Sequence, residues 1–252
     1  MKAQRVELRE IEGMRDMYRQ EMNCQIIHDS IHARSGWTHE YLLTDGDAKV
    51  GYGSVAVAGP WKTEPALYEY FVLPKHRGRT FDLFITLLES SGATVIETQS
   101  NDPLLTVMLH TFAASVTSES ILFHDKFTTA HTIPELVFRR VVPDDAAQLA
   151  LQELDRDATW LVEITGTVAA AGGILFHYNR PYGDIYMKVA ESFRRRGIGT
   201  YLVQELKRVC YEGSSVPAAR CNPKNIASRQ TLQRAGFVPC GHILKGAVSR
   251  TA

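Results

Sequence analysis

This 252-residue chain lacks an excess of either charge, a paired set of cysteines and a long apolar run. Lys and Arg number 28 and Asp and Glu also 28, so the formal net charge is zero and no whole-molecule field favours nucleic acid or an anionic membrane. Any basic function must be local. Cys24, Cys210, Cys221 and Cys240 form no C-x-x-C pair and have no histidine at zinc-ligand spacing. That predicts packed, reduced thiols, a reducing compartment and no metal site. No 18 apolar residues run together, and residues 1–10 are charged and lack the apolar centre of a secretory signal. The expectation is a cytoplasmic protein without a membrane partner. Low-complexity tracts are absent too, so order is expected almost throughout.

The length suits two domains, expected at 1–130 and 135–252 with a boundary at 129–134. The fold class is α/β. The first half reads as a strand from Arg5 to Glu10, then a helical stretch to about Ile31, then strands at Tyr41–Thr44, Val50–Ala58 and Leu67–Leu73. A helix at Phe81–Glu89 and a strand at Thr94–Thr98 follow. The second half repeats this grammar: a strand at Phe138–Val142, a helix opened by Pro143 and running to about Leu154, then strands at Thr159–Ile164, Val168–His177 and Asp184–Ala190. A helix from Ile198 to Cys210, a strand at Ala218–Cys221, a helix from Ile226 to Ala235 and a strand at His242–Val248 complete it.

The most informative segment is Arg194-Arg195-Arg196-Gly197-Ile198-Gly199, set between the strand ending at Ala190 and the helix starting at Ile198. A helix start offers unpaired N–H groups and the positive end of the macrodipole, worth roughly 0.3–2 kcal/mol for a nearby anion. Glycines let the backbone approach phosphate oxygens, and three arginines add charge. A dinucleotide fingerprint fails, because Leu202 stands where its third glycine belongs. A phosphate-loop NTPase would need Gly-Lys-Ser/Thr. The arginines and the Ser228–Phe237 helix could serve a nucleic-acid binder, but the balanced charge and the strand directly before the arginines argue against one.

The segment from Val189 to Gly199, together with Asn225-Ile-Ala-Ser228 through Arg234-Ala-Gly236-Phe237, resembles the GNAT superfamily of acyl-CoA-dependent N-acetyltransferases. The resemblance spans roughly Glu135 to Val248. It implies that Arg194, Arg195, Arg196, Gly197, Ile198, Gly199 and Thr200 surround the pyrophosphate of acetyl-CoA. Splayed strands would hold the pantetheine arm along Met187 and Val189, and the Met187 N–H would polarise the thioester carbonyl. Asn225 and Ser228 would touch the pantetheine or phosphate end. A homodimer is common among similar proteins. The family often has a Tyr seven residues after Asn225, but this chain has Leu232, so Tyr201 or a water must protonate the departing thiolate, or it leaves unaided.

An attacking amine must be neutral, so a base is required. Asp184 is the first candidate and His177 the second. The expected reaction is acetyl transfer to a primary amine, on a small molecule or a protein. The alternative is a non-catalytic acyl-CoA-binding sensor or scaffold. Cys210 and Cys221 have no flanking His or acid and read as packed thiols.

Val72 to Asp82 resembles the same strand-to-helix segment, with Arg77 leading and Thr80 and Asp82 at the two small-residue positions. Side chains there, one of them anionic, predict a degenerate first copy that does not bind CoA. Asn101 stands where Asn225 does. Only one short helix follows the first strand of the second half, so Trp37, Trp61, Tyr68 and Tyr70 of the first half are candidates to wall the acceptor site.

Overall fold

A computed structural model describes residues 1–23, 25 and 29–249; Cys24 lies outside them. Two compact units are present: Met1–Ser120 with Gly241–Ala252, and Ile121–Cys240. The junction at 129–134 is therefore not where the units divide. Residues 121–134 belong to the second unit and 241–252 to the first.

The first unit contains β1 (Lys2–Val6), α1 (Glu12–Met22), α2 (Asp29–His32), β2 (Thr38–Asp45), β3 (Ala48–Ala56), β4 (Ala66–Val72), α3 (Thr80–Ser91), β5 (Val95–Gln99) and α4 (Pro103–Phe112). Its sheet runs β1-β2-β3-β4-β5. All pairs are antiparallel except β4–β5, which is parallel over Ala66↔Val95 and Leu67↔Ile96. The sixth strand is the second half of β12 (Phe237–Val248), antiparallel to β5 from Ile243↔Gln99 to Ala247↔Val95. Two details differ from expectation. The first strand is Lys2–Val6, with a 3-10 turn at Leu8–Glu10, and the helix expected to reach Ile31 stops at Met22 because Asn23 turns left-handed (φ 47°).

The second unit contains β7 (Leu136–Arg140), α5 (Ala146–Leu151), β8 (Trp160–Ile164), β9 (Thr167–Leu175), β10 (Tyr182–Val189), α6 (Ile198–Glu212), β11 (Val216–Cys221) and α7 (Ile226–Arg234). Its sheet runs β7-β8-β9-β10-β11. It ends on the second half of β6 (Ala113–Asp125), antiparallel to β11 from Ala218↔His124 to Cys221↔Ile121. Each unit thus borrows its last strand from the other half of the sequence. β6 has no clear signal: Thr117 to Ser120 are polar, and only Ile121, Leu122 and Phe123 form an apolar run.

α6 holds the second core. Ile198, Leu202, Val203, Leu206 and Cys210 repeat at helical spacing and are buried, and the first four cluster with Ala169, Ile185, Ala219 and Phe123. Each large apolar side chain among them contributes about 1.5–3 kcal/mol by burial. Gly236 has to be glycine: its φ is +92°, and a Cβ would fall 1.9 Å from the Phe127 carbonyl oxygen. Its own carbonyl accepts the N–H groups of Lys126 and Phe127 at 3.2 and 3.1 Å. The buried Lys207 ammonium completes this corner, donating to the carbonyls of Phe127 and Ala235 at 2.9 and 2.7 Å and pairing with Asp125 at 2.6 Å.

The first unit buries a charged network. Arg15 meets Glu69 through two bonds of 2.9 Å, and Tyr52 donates to the same carboxylate at 3.0 Å. His32 lies 2.9 Å from Glu40 and 3.3 Å from Glu69, while Ser54 donates to Glu40 and the Tyr68 hydroxyl stands 2.7 Å from His32. With His32 protonated, two cations face two anions, which is the condition for such groups to be tolerated inside. The four aromatics expected to wall an acceptor site divide between buried and half-buried positions of this unit. Tyr68 and Tyr70 are buried, and Trp37 and Trp61 pack on Ile31, Ala56 and Tyr68.

Burial lowers the His32 pKa, but Glu69 and the hydrogen bonds to both glutamates outweigh it and raise the value to about 9. A raised histidine stabilises fully below its unfolded pKa of ~6.5 and loses that contribution as pH climbs toward the folded value, a change on the order of 3 kcal/mol. Stability should therefore fall between pH 6.5 and 9 in chemical denaturation, and H32N should flatten that slope. The borrowed strands predict that fragment 121–240 unfolds cooperatively by circular dichroism, whereas 135–252, without Ile121, Leu122 and Phe123, does not.

Candidate functional site

The site is made by two strands that part. β10 and β11 run parallel over Tyr182↔Val216, Gly183↔Pro217, Asp184↔Ala218 and Ile185↔Ala219, and there the pairing stops. β10 continues to Val189, paired only with β9. Its hydrogen-bond phase follows from two bonds: Ala190 N–H donates to the Ala169 carbonyl at 2.9 Å, and the Gly172 carbonyl accepts from Thr159 at 3.0 Å, on the far side of β9. Antiparallel residues alternate between bonded and non-bonded pairs, so Asp184, Tyr186 and Lys188 bond to β9. Ile185, Met187 and Val189 turn their N–H and C=O groups the other way, toward β11. Ile185 meets that strand, whereas Met187 and Val189 face the opening.

The turn beyond β10 leads straight to the head of α6. After a 3-10 turn at Glu191–Phe193 the chain bends through Arg195 (φ 62°) and Gly197 (φ 79°), both left-handed. No side chain caps α6. The first helical N–H to find an acceptor is that of Tyr201, on the Gly197 carbonyl at 3.0 Å. Those of Ile198, Gly199 and Thr200 have none among the described residues, so they remain for an anion, as does the dipole. Gly199 lies against the strand ends, where an added Cβ would sit 3.2 Å from Val189, 3.3 Å from Thr231 and 3.5 Å from Met187. The cradle and the slot therefore adjoin.

The three arginines do different things. Arg194 turns back, its Nε donating to the Val189 carbonyl at 3.3 Å, and Arg196 lies 5.5 Å from the Phe193 ring centroid. Arg195 is exposed and makes no ion pair among the described residues. Asn225 caps α7, its Oδ1 accepting the Ser228 N–H at 3.0 Å, which leaves its amide NH2 for a ligand. Leu232 is buried in the core and can donate nothing. Tyr201, one turn into α6, is partly buried; burial raises its pKa, with Glu205 adding to the rise.

Asp184 and His177 lie toward the closed end of the slot, where β10 is still paired. Asp184 is 4 % exposed, and its Oδ1 is buried without a hydrogen-bond partner. Burial pushes its pKa up to about 6, although Arg220 opposes this with an Nε 3.2 Å from Oδ2. Arg220 also donates to the Tyr178 hydroxyl and stacks on that ring at 4.8 Å. His177 is exposed, its ring 4.3 Å from that of Tyr178. Sequence reasoning missed Arg220, whose only signal is a charge inside an otherwise small and apolar strand. It also missed His131, whose ring stands over Gly197: a Cβ there would come 2.2 Å from Nε2.

The first unit carries the same frame, and its strands also part, β4 pairing with β5 only at Ala66↔Val95 and Leu67↔Ile96 before running on to Val72 beside β3; what it lacks is the free helix start. Arg77 reaches back to the Val72 carbonyl at 3.1 Å, as Arg194 does to Val189. Its turn is filled by a 3-10 helix from Pro74 to Arg79 that runs directly into α3, with no left-handed residue and with the Thr80 N–H already bonded to Arg77. Glu21 of α1 occupies the free side of Arg77 at 2.6 Å. The α4 cap is Asp102, not Asn101; it accepts from Leu105 at 3.1 Å and from the Tyr18 hydroxyl at 2.8 Å.

Residues 127–237, a little under half of the chain, match the model of the acetyltransferase (GNAT) family. No curated protein matches the chain. Among solved structures, a GNAT-family acetyltransferase from Colwellia psychrerythraea is similar over 99 % of this chain and 100 % of its own, with TM-score 0.76 at 14 % identity. A tandem GNAT protein from the clavulanic acid biosynthesis pathway is similar over 100 % and 99 %, with TM-score 0.61 at 11 % identity. A GCN5-related N-acetyltransferase from Sphaerobacter thermophilus is similar over 82 % and 80 %, with TM-score 0.55 at 15 % identity. These likenesses are of fold. The family transfers acyl groups from acyl-CoA. Among the described residues no group of three or more His, Cys, Asp or Glu side chains is arranged to hold a metal ion, and no helix is long and apolar enough to cross a membrane.

Replacing Gly197 by Val forces a β-branched residue to φ +79° and drives its Cβ into His131. G197V should abolish the calorimetric heat of CoA binding while lowering thermal stability by only about 1–2 kcal/mol.

Proposed function

We propose that the chain transfers the acetyl group of acetyl-CoA to a primary amine by direct attack on the thioester. The observation behind this reading is the pair of main-chain positions, Met187 and Val189, that face an unpaired opening next to an uncapped helix start. Acetyl-CoA supplies an activated acyl carbonyl and a thiolate leaving group. The N–H groups of Ile198, Gly199 and Thr200 hold its diphosphate, assisted by Arg195 and Arg196. Arg194 acts differently: its bond to Val189 fixes the end of β10. The Met187 N–H donates to the acyl oxygen as negative charge develops there, a fixed dipole that need not reorganise. Juxtaposition of amine and thioester supplies much of the remaining acceleration.

Asp184 receives the amine proton through water, its Oδ1 being the open acceptor position and its pKa suited to a base near neutrality. His177, exposed in the loop after β9, is not preferred. Tyr201 stands nearest the helix start and returns a proton to the thiolate. The first unit does not bind CoA, because a continuous helical turn and the Glu21 carboxylate take up the corresponding positions.

The test is a pH profile of acetylation for wild type and D184N. In the wild type, kcat/KM should rise through an acid limb near pH 6. D184N should lose that limb and about 10²–10⁴ of the rate while CoA binding stays unchanged. CoA binding without turnover on a broad amine panel would instead favour a sensor or scaffold.

A further inference from the structure

The second unit uses the two faces of its sheet differently. Ile185, Ala219 and Cys221 turn into the core beneath α6, so their neighbours along the strands, Asp184 and Tyr186 of β10 and Ala218 and Arg220 of β11, turn to the opposite face. Arg220 is the first residue of β11 beyond the last pair, Ile185↔Ala219, and so stands where the strands part. On the acyl-transfer reading, an acyl group carried from the head of α6 into the opening meets its acceptor on this opposite face, beside Asp184 and Arg220.

The Arg220 guanidinium is held along one edge and free along the other. Its Nε lies 3.2 Å from Asp184 Oδ2, the adjoining Nη2 donates to the Tyr178 hydroxyl, and the Tyr178 ring backs the plane at 4.8 Å. Nη1 meets no acceptor among the described residues, and the side chain is 32 % exposed. What is left is the terminal fork of Nη1 and Nη2, two parallel N–H groups that match both oxygens of a carboxylate. β9, β10 and β11 carry one carboxylate between them, Asp184, and the loop from Phe176 to Pro181 adds none, so no second acid of these segments answers the fork. Asp184 itself, 4 % exposed, keeps Oδ1 without a hydrogen-bond partner. One ion pair thus presents an open acceptor oxygen and an open two-pronged donor side by side.

Proton transfer gives this pairing a further consequence. When Asp184 takes up a proton from an amine it ceases to be a counter-charge, and Arg220 is left without one. A carboxylate delivered with the amine restores the balance at that moment. We propose that the acceptor is an α-amino acid, its amine directed to Asp184 and its carboxylate held by the terminal fork of Arg220, which sets this specificity. The fate of the amine rests on the acyl-transfer reading; recognition of the paired amine and carboxylate does not. The nitrogen bonds to the acetyl carbon and gives one proton toward Asp184, the C–S bond breaks, and CoA leaves as the thiolate. A protein lysine or a polyamine has no carboxylate beside its amine and leaves the fork empty.

Isothermal titration of L-phenylalanine, L-leucine and L-lysine, each against its decarboxylated amine (phenethylamine, isoamylamine or cadaverine), tests the site, with CoA present to fill the slot. At least one amino acid should bind about tenfold more tightly than its amine, the strength of a charge-assisted bond. R220Q should remove that difference. R220K, which can keep the pair with Asp184 but lacks the fork, should remove most of it, with thermal unfolding checking that both variants are folded. Equal binding of every acid and its amine, no binding of any amino acid, or a full preference in either folded variant would overturn the proposal. Turnover separates the two ideas: acetylation of the amines as rapid as that of the amino acids, compared per neutral amine, defeats the proposal and leaves acyl transfer intact, whereas Arg220-dependent binding without acetylation of any amine does the reverse.

Discussion

The second unit depends on a ladder that stops early. Four residue pairs join β10 to β11, and beyond Ile185↔Ala219 the strands part, leaving Met187 and Val189 with main-chain groups that no strand satisfies. Unpaired backbone in a sheet interior is costly unless a ligand or water meets it. The surroundings are consistent with a gap kept for a ligand: the α6 head is uncapped, its turn passes through two left-handed residues, and Arg194 ties the turn to the strand end.

The two units show how one frame holds two outcomes. The arginine that folds back five residues to a strand-end carbonyl is present in both, so it is a device for the turn before it is one for phosphate. What differs is local: Gly197 permits a left-handed bend, whereas the Arg77–Thr80 stretch continues as helical turns and uses its own N–H groups. In the first unit the interior holds Arg15, Glu69, His32 and Glu40 in a closed network, and the polar groups there satisfy one another.

Much of this was legible from sequence because the informative residues follow strict local rules. The Gly197-Ile198-Gly199 turn, the amphipathic α6 and the capping Asn225 each announce themselves by spacing or by chemistry that admits few alternatives. Strands with clear alternation were found within a few residues of their observed ends. β6 was not, since its polar first half has no period and its role is fixed by partners far away in sequence. Arg220 was missed for a related reason: it acquires meaning only when parallel pairing brings it beside Asp184. His131 lies in a stretch read only as a junction, and nothing local indicates that its ring stands over Gly197.

The crossed ownership of the last strands bears on how the chain is made. β5 pairs with β12 between Gln99 and Ile243, residues 144 positions apart. During synthesis the amino-terminal half therefore emerges with β5 as a bare edge, and that edge cannot be covered until almost the whole polypeptide has left the ribosome. The carboxy-terminal half meets the reverse situation, its borrowed strand having been waiting since residue 125. Completion of the nascent chain is thus the event that seals the first-made half, and a ribosome stalled near residue 240 would display a nearly finished protein with an adhesive flank.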